Sequence, residues 1–564
     1  MEKQKEKKIE DLFARGILAS SDLLEKEVEE TILQKIESEE DLLVLNTDYL
    51  GAISQSTSLV DWYNLDRFRV AAEKDPQDEL YQSQLKNIQR STLTIPNLGQ
   101  VIKTTSLEVQ LDPLTSLATS EEETSYLSPE PSSLSTSTPF ELSTSQISVT
   151  VIISHKNTPK KYTINDFTQF FLSRYNFLEN ILRNRQELLH PLMISRLLSK
   201  KEPEQVSVIG LVDEIAETKT GNLIVTLEDP TGKIKLIVNK AKKEIFLNAK
   251  DLVVDEVIGV FGTSKDGVLF VENIVWPDVP INHELKKGPE EEYVIFLSDI
   301  HVGSTLFLKD EFNKFLRWIS GEAGNEQQRS IAQKVKYIFI AGDLVDGVGI
   351  YPSQEEELEI KDIAGQYQQF ANLIRQIPVD KKIIICPGNH DVVHLAEPQP
   401  AFYQEFATDL FALPNVTLVT NPSLINVGKR DDFEGFDVLM YHGYSFDYYV
   451  ANVESIRAGG GYHRADLIMK FLLKRRHLAP SFKSTPYYPS HVEDPLLIKK
   501  IPDFFITGHI HYSCVANYKG ITMISGSCWQ GKTSFQEKLG HEPEPARVPV
   551  VNLKTREVKV MRFG

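Results

Sequence analysis

Tyr293-Val294-Ile295-Phe296-Leu297-Ser298-Asp299-Ile300-His301 is an apolar run that ends in two side chains able to hold a metal. Apolar residues without alternation suit a short strand buried on both faces, as in the parallel sheets of α/β proteins. The same grammar recurs downstream. Tyr337-Ile338-Phe339-Ile340 leads into Ala341-Gly342-Asp343, and Ile383-Ile384-Ile385-Cys386 into Pro387-Gly388-Asn389-His390-Asp391. Val438-Leu439-Met440-Tyr441 runs into His442-Gly443, and Phe504-Phe505-Ile506 into Thr507-Gly508-His509-Ile510-His511. Buried strands that deliver polar groups at their carboxyl ends are what an α/β or layered β-sandwich enzyme requires. The expected fold class is therefore α/β, a layered β-sandwich flanked by helices over residues 286–564.

Each motif alone is weak, because a lone Asp-x-His is usually a turn and an isolated histidine is more often a core residue than a ligand. Together, in order and each after a strand, they are specific. They offer carboxylates, imidazoles and one amide oxygen, a donor set for two divalent cations about 3.5 to 4 Å apart across one bridging carboxylate. Asp343 is assigned as the bridge, with Asp299, His301 and His511 completing one ion and Asn389, His442 and His509 the other. So many imidazoles favour a transition metal, Mn²⁺ first with Fe or Zn²⁺ as alternatives, over Mg²⁺. Two dications against two ligand carboxylates leave a positive site, which suits a phosphodiester. His390 is not needed to fill either shell and is a candidate to stabilise the transition state or protonate the leaving oxygen. Asp391 is a candidate to orient it; a helix cap or loop-fixing residue is the alternative.

Outward from these motifs, residues 206–277 change to short strands at 206–212, 223–228, 234–238, 257–263 and 269–274, with a helix-compatible piece at 240–250. This pattern predicts an OB-fold barrel over 201–285, some other small β-barrel or sandwich being the alternative. Residues 151–200 form a helical segment, the helix spanning 163–198 with Phe167, Phe170, Phe171, Phe177, Leu178 and Leu182 on its apolar face. Residues 76–150 read as a mostly disordered linker, rich in Ser and Thr and carrying Pro113, Pro129, Pro131, Pro139 and Glu121-Glu122-Glu123. Such a segment cannot bury enough apolar surface to offset chain entropy. Residues 1–75 read as a small helical domain, with an amphipathic run through Val28, Ile32 and Ile36.

The formal charge of −18 over 564 residues argues against a surface that coats nucleic acid indiscriminately, so contact with a polyanion must be local or metal-assisted. Three cysteines without CxxC spacing fit a reducing compartment. With no apolar leader and no run long enough to span a bilayer, the expectation is a cytoplasmic protein without membrane contact.

Asp-x-His, Gly-Asp, Gly-Asn-His-Asp, His and Gly-His-x-His in this order resemble the calcineurin-like metallophosphoesterases. An OB-like domain directly before such a domain is similar to the small subunits of replicative DNA polymerases. In the eukaryotic relatives the metal motifs are eroded. Here they are intact, so the chain resembles the small subunits of archaeal family-D DNA polymerases over about residues 160–564. Gly459-Gly460-Gly461-Tyr462-His463-Arg464 and Ser527-Cys528-Trp529-Gln530-Gly531-Lys532-Thr533-Ser534-Phe535-Gln536 add to the likeness. The resemblance implies a 3′–5′ proofreading exonuclease that also scaffolds a large polymerising subunit. It implies contact with primer-template and single-stranded DNA, with a sliding clamp and primase through the complex, and a nucleoid-associated location. Under that reading Arg457, His463, Arg464, Lys474, Arg475 and Arg476 are candidate DNA contacts, in a stretch where Asp466 is the only acid; a solvated helix face is the alternative. Tyr462 or Trp529 could stack a base, although Trp529 suits a core better. A phosphoesterase with another substrate and a non-catalytic scaffold are the rival functions.

Overall fold

The motif-bearing strands have side chains buried on both sides, and that forces a sheet covered on both faces. In the computed structural model, Tyr293–Leu297, Val335–Ala341, Lys382–Cys386 and Val416–Leu418 lie parallel and adjacent, with one register shift between Tyr293 and Val294. Arg547–Asn552 pairs antiparallel to the first of them and with Val558–Arg562, and Thr105–Glu108 lies parallel along the latter, completing a seven-stranded sheet. A six-stranded sheet runs in the order Cys514–Tyr518, Ile521–Ser525, Phe504–Thr507, Phe436–Met440, Ser423–Val427 and Val149–Ser154.

Strand alternation sorts each side chain into a layer. Val294, Phe296, Phe339 and Ile384 of the first sheet meet Ile425, Val438, Phe504 and Ile524 of the second in the central layer. The alternate residues Ile295, Ile338, Ile340 and Ile385 pack outward on Phe312, Phe315, Trp318 and Phe370 of covering helices. Leu424, Leu439 and Phe505 likewise meet Tyr449, Ile468 and Leu472 on the far side. Both sheets thus end their parallel strands at one edge, where the polar motifs gather.

The described residues are 148–155, 161–489, 493–538 and 540–564, with the backbone alone of Leu18–Ala19, Val44–Leu45 and Thr105–Glu108. The expected N-terminal helices and most of the expected linker lie outside them. In the unit of residues 1–99, Leu18–Ala19 pairs parallel with Val44–Leu45. Among the described residues, no helix is long and apolar enough to cross a membrane.

The strands Glu204–Glu217, Leu223–Asp229, Gly232–Val238, Val257–Lys265 and Val268–Val275 close into a barrel with the helix Lys243–Lys250 between its third and fourth strands. This is an OB-like architecture. Three expectations need correction. Thr105–Glu108, inside the expected disordered linker, is a strand of the seven-stranded sheet. Val149–Ser154, placed across the linker and a helical segment, is an edge strand, as its β-branched run favours. The helix expected over 163–198 is broken: Ile164–Arg183 starts at a Thr163–Asp166 capping box, and only Ile194–Leu198 is helical thereafter. Pro191 disfavours helical backbone at His190, which sits at φ 45°.

The helix Ile164–Arg183 is wedged between barrel and sandwich. Tyr175, Leu178 and Leu182 pack with Ile209 and Val257 of the barrel and Leu497 of the sandwich. At its centre Arg174 Nε donates to Asp494 at 2.7 Å, and Arg174 also reaches the carbonyls of Asp255 and Pro480. Three of the expected DNA contacts prove to belong to this junction. Arg475, which is buried, places Nε 2.8 Å from Glu256 of the barrel and its guanidinium over Phe471. Lys474 lies 3.6 Å above the Trp276 ring, and Arg476 donates to the carbonyls of Ile498 and Lys499. The basic run is therefore neither a DNA face nor a solvated helix face at these positions. Its charges are consumed by the barrel and the loop before the last motif.

These pairings make two measurable demands. Arg475→Met leaves Glu256 buried without its guanidinium, so unfolding by urea should show a loss of about 3 to 5 kcal/mol. Arg457→Ala, on the exposed side, should stay within about 0.5 kcal/mol of the parent. The second demand concerns His477, whose Nδ1 accepts from the Ala479 N–H while Nε2 donates to Asp494. The folded ring is thus neutral. Burial, and then the Arg174 charge, push it down to about 4 from the ordinary 6.5. Between those values the unfolded chain binds the proton and the folded chain does not, so this contribution to stability is intact above about pH 6.5 and is lost as the pH falls through about 4. Melting temperature should drop across that window, and more shallowly in His477→Gln; an equal slope would contradict the assignment.

Candidate metal centre

The loops after the five motif strands bend back on themselves within a residue or two, and the backbone records it. Asp299, His301, Asp343, His509 and His511 all take left-handed φ values between 51° and 72°. For non-glycine residues this conformation is uncommon and costs on the order of 1 kcal/mol or more each. Glycine is required where backbones nearly touch: a Cβ on Gly388 would lie 2.2 Å from Asp343 Oδ1, and one on Gly508 2.6 Å from Asp299 Oδ2.

The result is a convergent set of donors. The ligand atoms of Asp299, His301 and His511 lie within 4.8 Å of one another, and so do those of Asp343, His442 and His509. Asp343 Oδ2 stands 3.2 Å from His442 Nε2 and 3.9 Å from His301 Nε2, between the two groups. Asn389 Oδ1 is 3.0 Å from His442 Nε2 and 2.9 Å from His509 Nδ1. All seven predicted ligands are thus gathered, each on the side expected.

Each imidazole is aimed by the nitrogen it turns away from the centre. His442 Nδ1 donates to the Ala341 carbonyl at 2.7 Å, His301 Nδ1 to Asp346 at 3.1 Å, and His509 Nε2 to Asp447 at 2.9 Å. Such outer partners fix tautomer and ring orientation in metal sites. Gln536 lies 2.9 Å from His511 Nδ1. Burial should push His442 down, yet Asp343 first and Asp299 next hold it at about 10. Burial likewise opposes ionisation of Asp343, but His442 above all, then His390, keeps it well below the usual carboxylate range. Positive charge is therefore favoured where the two donor groups meet. The residues present fit divalent cations.

His390 donates its backbone N–H to Asp343 Oδ1 at 2.8 Å and its Nδ1–H to the Asp346 carbonyl at 2.7 Å, its ring lying edge-on to His301. Burial, outweighing Asp343, holds its pKa below the ordinary value. Asp391 does not orient it. Its Oδ2 accepts from the Gly388 and Leu344 N–H groups and its Oδ1 from the Tyr367 hydroxyl, so it fixes the loop that carries Asn389. Of the remaining expected DNA contacts, Arg457 and His463 are exposed, and Arg464 is held by Asp466 at 2.8 Å. Tyr462 donates to Asp447, and Trp529 is core, packed on Phe312 and Phe315.

Sequence reasoning missed Asp346, Asp447, Gln354, Gln530 and Gln536. Asp346 accepts from His301, Gln530 and Gln354 and is fully buried, the hub of the outer shell. A second acid three residues after Asp343 was a usable signal; Asp447, on the helix Phe446–Asn452, gave none.

A family model described as calcineurin-like phosphoesterase matches residues 293–513, the span from the first motif to the last. The DNA polymerase II small subunit of Methanothermobacter thermautotrophicus is 40% identical over 389 residues, 69% of this chain and 78% of that one. That of Archaeoglobus fulgidus is 40% identical over 402 residues, covering 71% and 78%, and that of Pyrococcus furiosus 38% identical over 404 residues, covering 71% and 64%. With its phosphoesterase motifs, OB-like barrel and this identity over most of its length, the chain belongs to the family of DNA polymerase II small subunits.

Proposed function

We propose that the chain is the exonucleolytic subunit of a replicative DNA polymerase, removing nucleotides in the 3′–5′ direction at a two-metal centre and holding the large polymerising subunit. The observation that carries this reading is the convergence of seven donor side chains from five strand ends, with the Asp343 carboxylate between the two groups. The relatives are by name subunits of a DNA polymerase, and a phosphodiester hydrolase in that setting has the newly made DNA end as its natural substrate.

In this reading Asp299, His301, His511 and Asp343 would hold one ion and Asn389, His442, His509 and Asp343 the other, with Mn²⁺ suiting so imidazole-rich a set. Two such cations, when bound, would supply the charge that polarises a phosphodiester and makes water a competent nucleophile near neutral pH. The chain's own residues do the rest. Asp346 and Asp447 keep His301 and His509 turned inward, and Asp391 keeps the Asn389 loop closed. His390, with Nδ1 spent on the Asp346 carbonyl, offers Nε2 to the substrate. The approach of an anionic phosphodiester favours its protonated form, so it can donate to the leaving oxygen.

Two substitutions separate metal loading from chemistry. Asp343→Ala should lose bound metal by elemental analysis as well as DNA hydrolysis, and two retained metals per chain would refute the bridge. His390→Ala should keep its metal and slow hydrolysis by about 10² to 10⁴. If it acts as an acid, a p-nitrophenyl phosphodiester, whose leaving group needs no proton, should lose less rate than DNA. An unchanged rate on DNA would remove His390 from the mechanism.

A further inference from the structure

Beside His390 the rim of the site changes from polar to apolar. The Tyr351 ring, 6.4 Å from that of His390, stacks on Phe535 with centroids 5.4 Å apart and planes at 20°. The two rings come from a loop and from the short helix Ser534–Lys538, far apart in sequence, and both segments are pinned to side chains that orient the donor histidines. Gln354, which donates to Asp346, accepts from the Ile350 N–H. Gln536, next to Phe535, lies against His511. Glu357 joins the segments to each other by accepting from the Tyr351 hydroxyl and from the Ser534 N–H. Phe535 is nevertheless 42% exposed, and Val348 and Ile350 beside Tyr351 are 50% and 41% exposed. A fixed aromatic pair, half-buried at Tyr351 and open to solvent at Phe535, flanked by exposed aliphatic side chains, has no role in the core.

Resting on the exonuclease reading, we infer that Tyr351 and Phe535 form the platform on which the base of the 3′-terminal nucleotide stacks while its phosphodiester reaches the metal centre and His390. Every base has a π-face, so such a platform tolerates any terminal nucleotide. The base must leave its partner to stack there. A mispaired end pays less to unpair, so the platform adds selection for frayed ends to a centre that by itself recognises only phosphate.

The test uses the full chain with Mn²⁺ and a short single strand ending in 2-aminopurine, its last linkage a phosphorothioate that resists cutting. Fluorescence quenching reports stacking, and titration gives the affinity. Phe535→Ala should weaken binding about 5- to 100-fold, Phe535→Trp should retain it, and all three proteins should bind a strand ending in an abasic sugar equally. Equal affinity of the parent and Phe535→Ala for the base-ended strand, or an equal loss on the abasic strand, overturns the platform. Because binding is read without cleavage, base-dependent binding by a chain that cuts no DNA would refute the exonuclease reading and leave the platform standing.

Discussion

The constraint on which the rest of this structure depends is the burial of two carboxylates, Asp299 and Asp343, at the seam between two sheets. An ionised carboxylate in an apolar interior is too costly unless it is paired. The fold answers by surrounding these two with imidazoles and backbone N–H groups: His390 donates to Asp343, and His509 donates its N–H to Asp299. The left-handed backbone at five of the seven donor residues and the Cβ-free approach at Gly388 and Gly508 are the geometric consequences. That strain is held between parallel strands paired side by side in both sheets, which fix where each loop starts.

A second layer of polar side chains turns this neutralised pocket into an oriented one. Asp346 receives His301, Gln530 and Gln354, and its carbonyl receives His390, so one residue sets both a metal-facing ring and the ring nearest the aromatic rim. The Arg174–Asp494–His477 cluster does comparable work at a distance. It ties the wedge helix and, through it, the barrel to the segment that leads into the last metal motif. Lys474 and Arg475 of the helix Ala465–Arg475 likewise connect it to the barrel, while Arg476 ties its end to the Ile498 and Lys499 carbonyls.

What was legible in the sequence was whatever local rules enforce. A doubly buried strand must be apolar throughout, so Tyr293–Leu297 and its counterparts stood out, and the polar residues that follow them gather in two groups about Asp343. The barrel strands showed as five short runs, each of which falls inside an observed strand. Partnerships made across the fold did not show. Nothing local reveals that Arg475 faces Glu256, more than two hundred residues earlier in the chain, or that Asp447 aims His509. A basic run looks the same whether it faces DNA or a neighbouring domain. Asp391 was misjudged in its proposed link to His390 because adjacency in sequence suggested a contact that the turn directs elsewhere, to Gly388 and Tyr367.

The central claim, that Asp343 is shared by two cations, is tested most directly by anomalous diffraction from crystals grown with Mn²⁺. The account predicts two peaks about 3.5 to 4 Å apart on either side of the Asp343 carboxylate, one against Asp299, His301 and His511 and the other against Asn389, His442 and His509. A single peak, or two peaks of which only one touches Asp343, would contradict it.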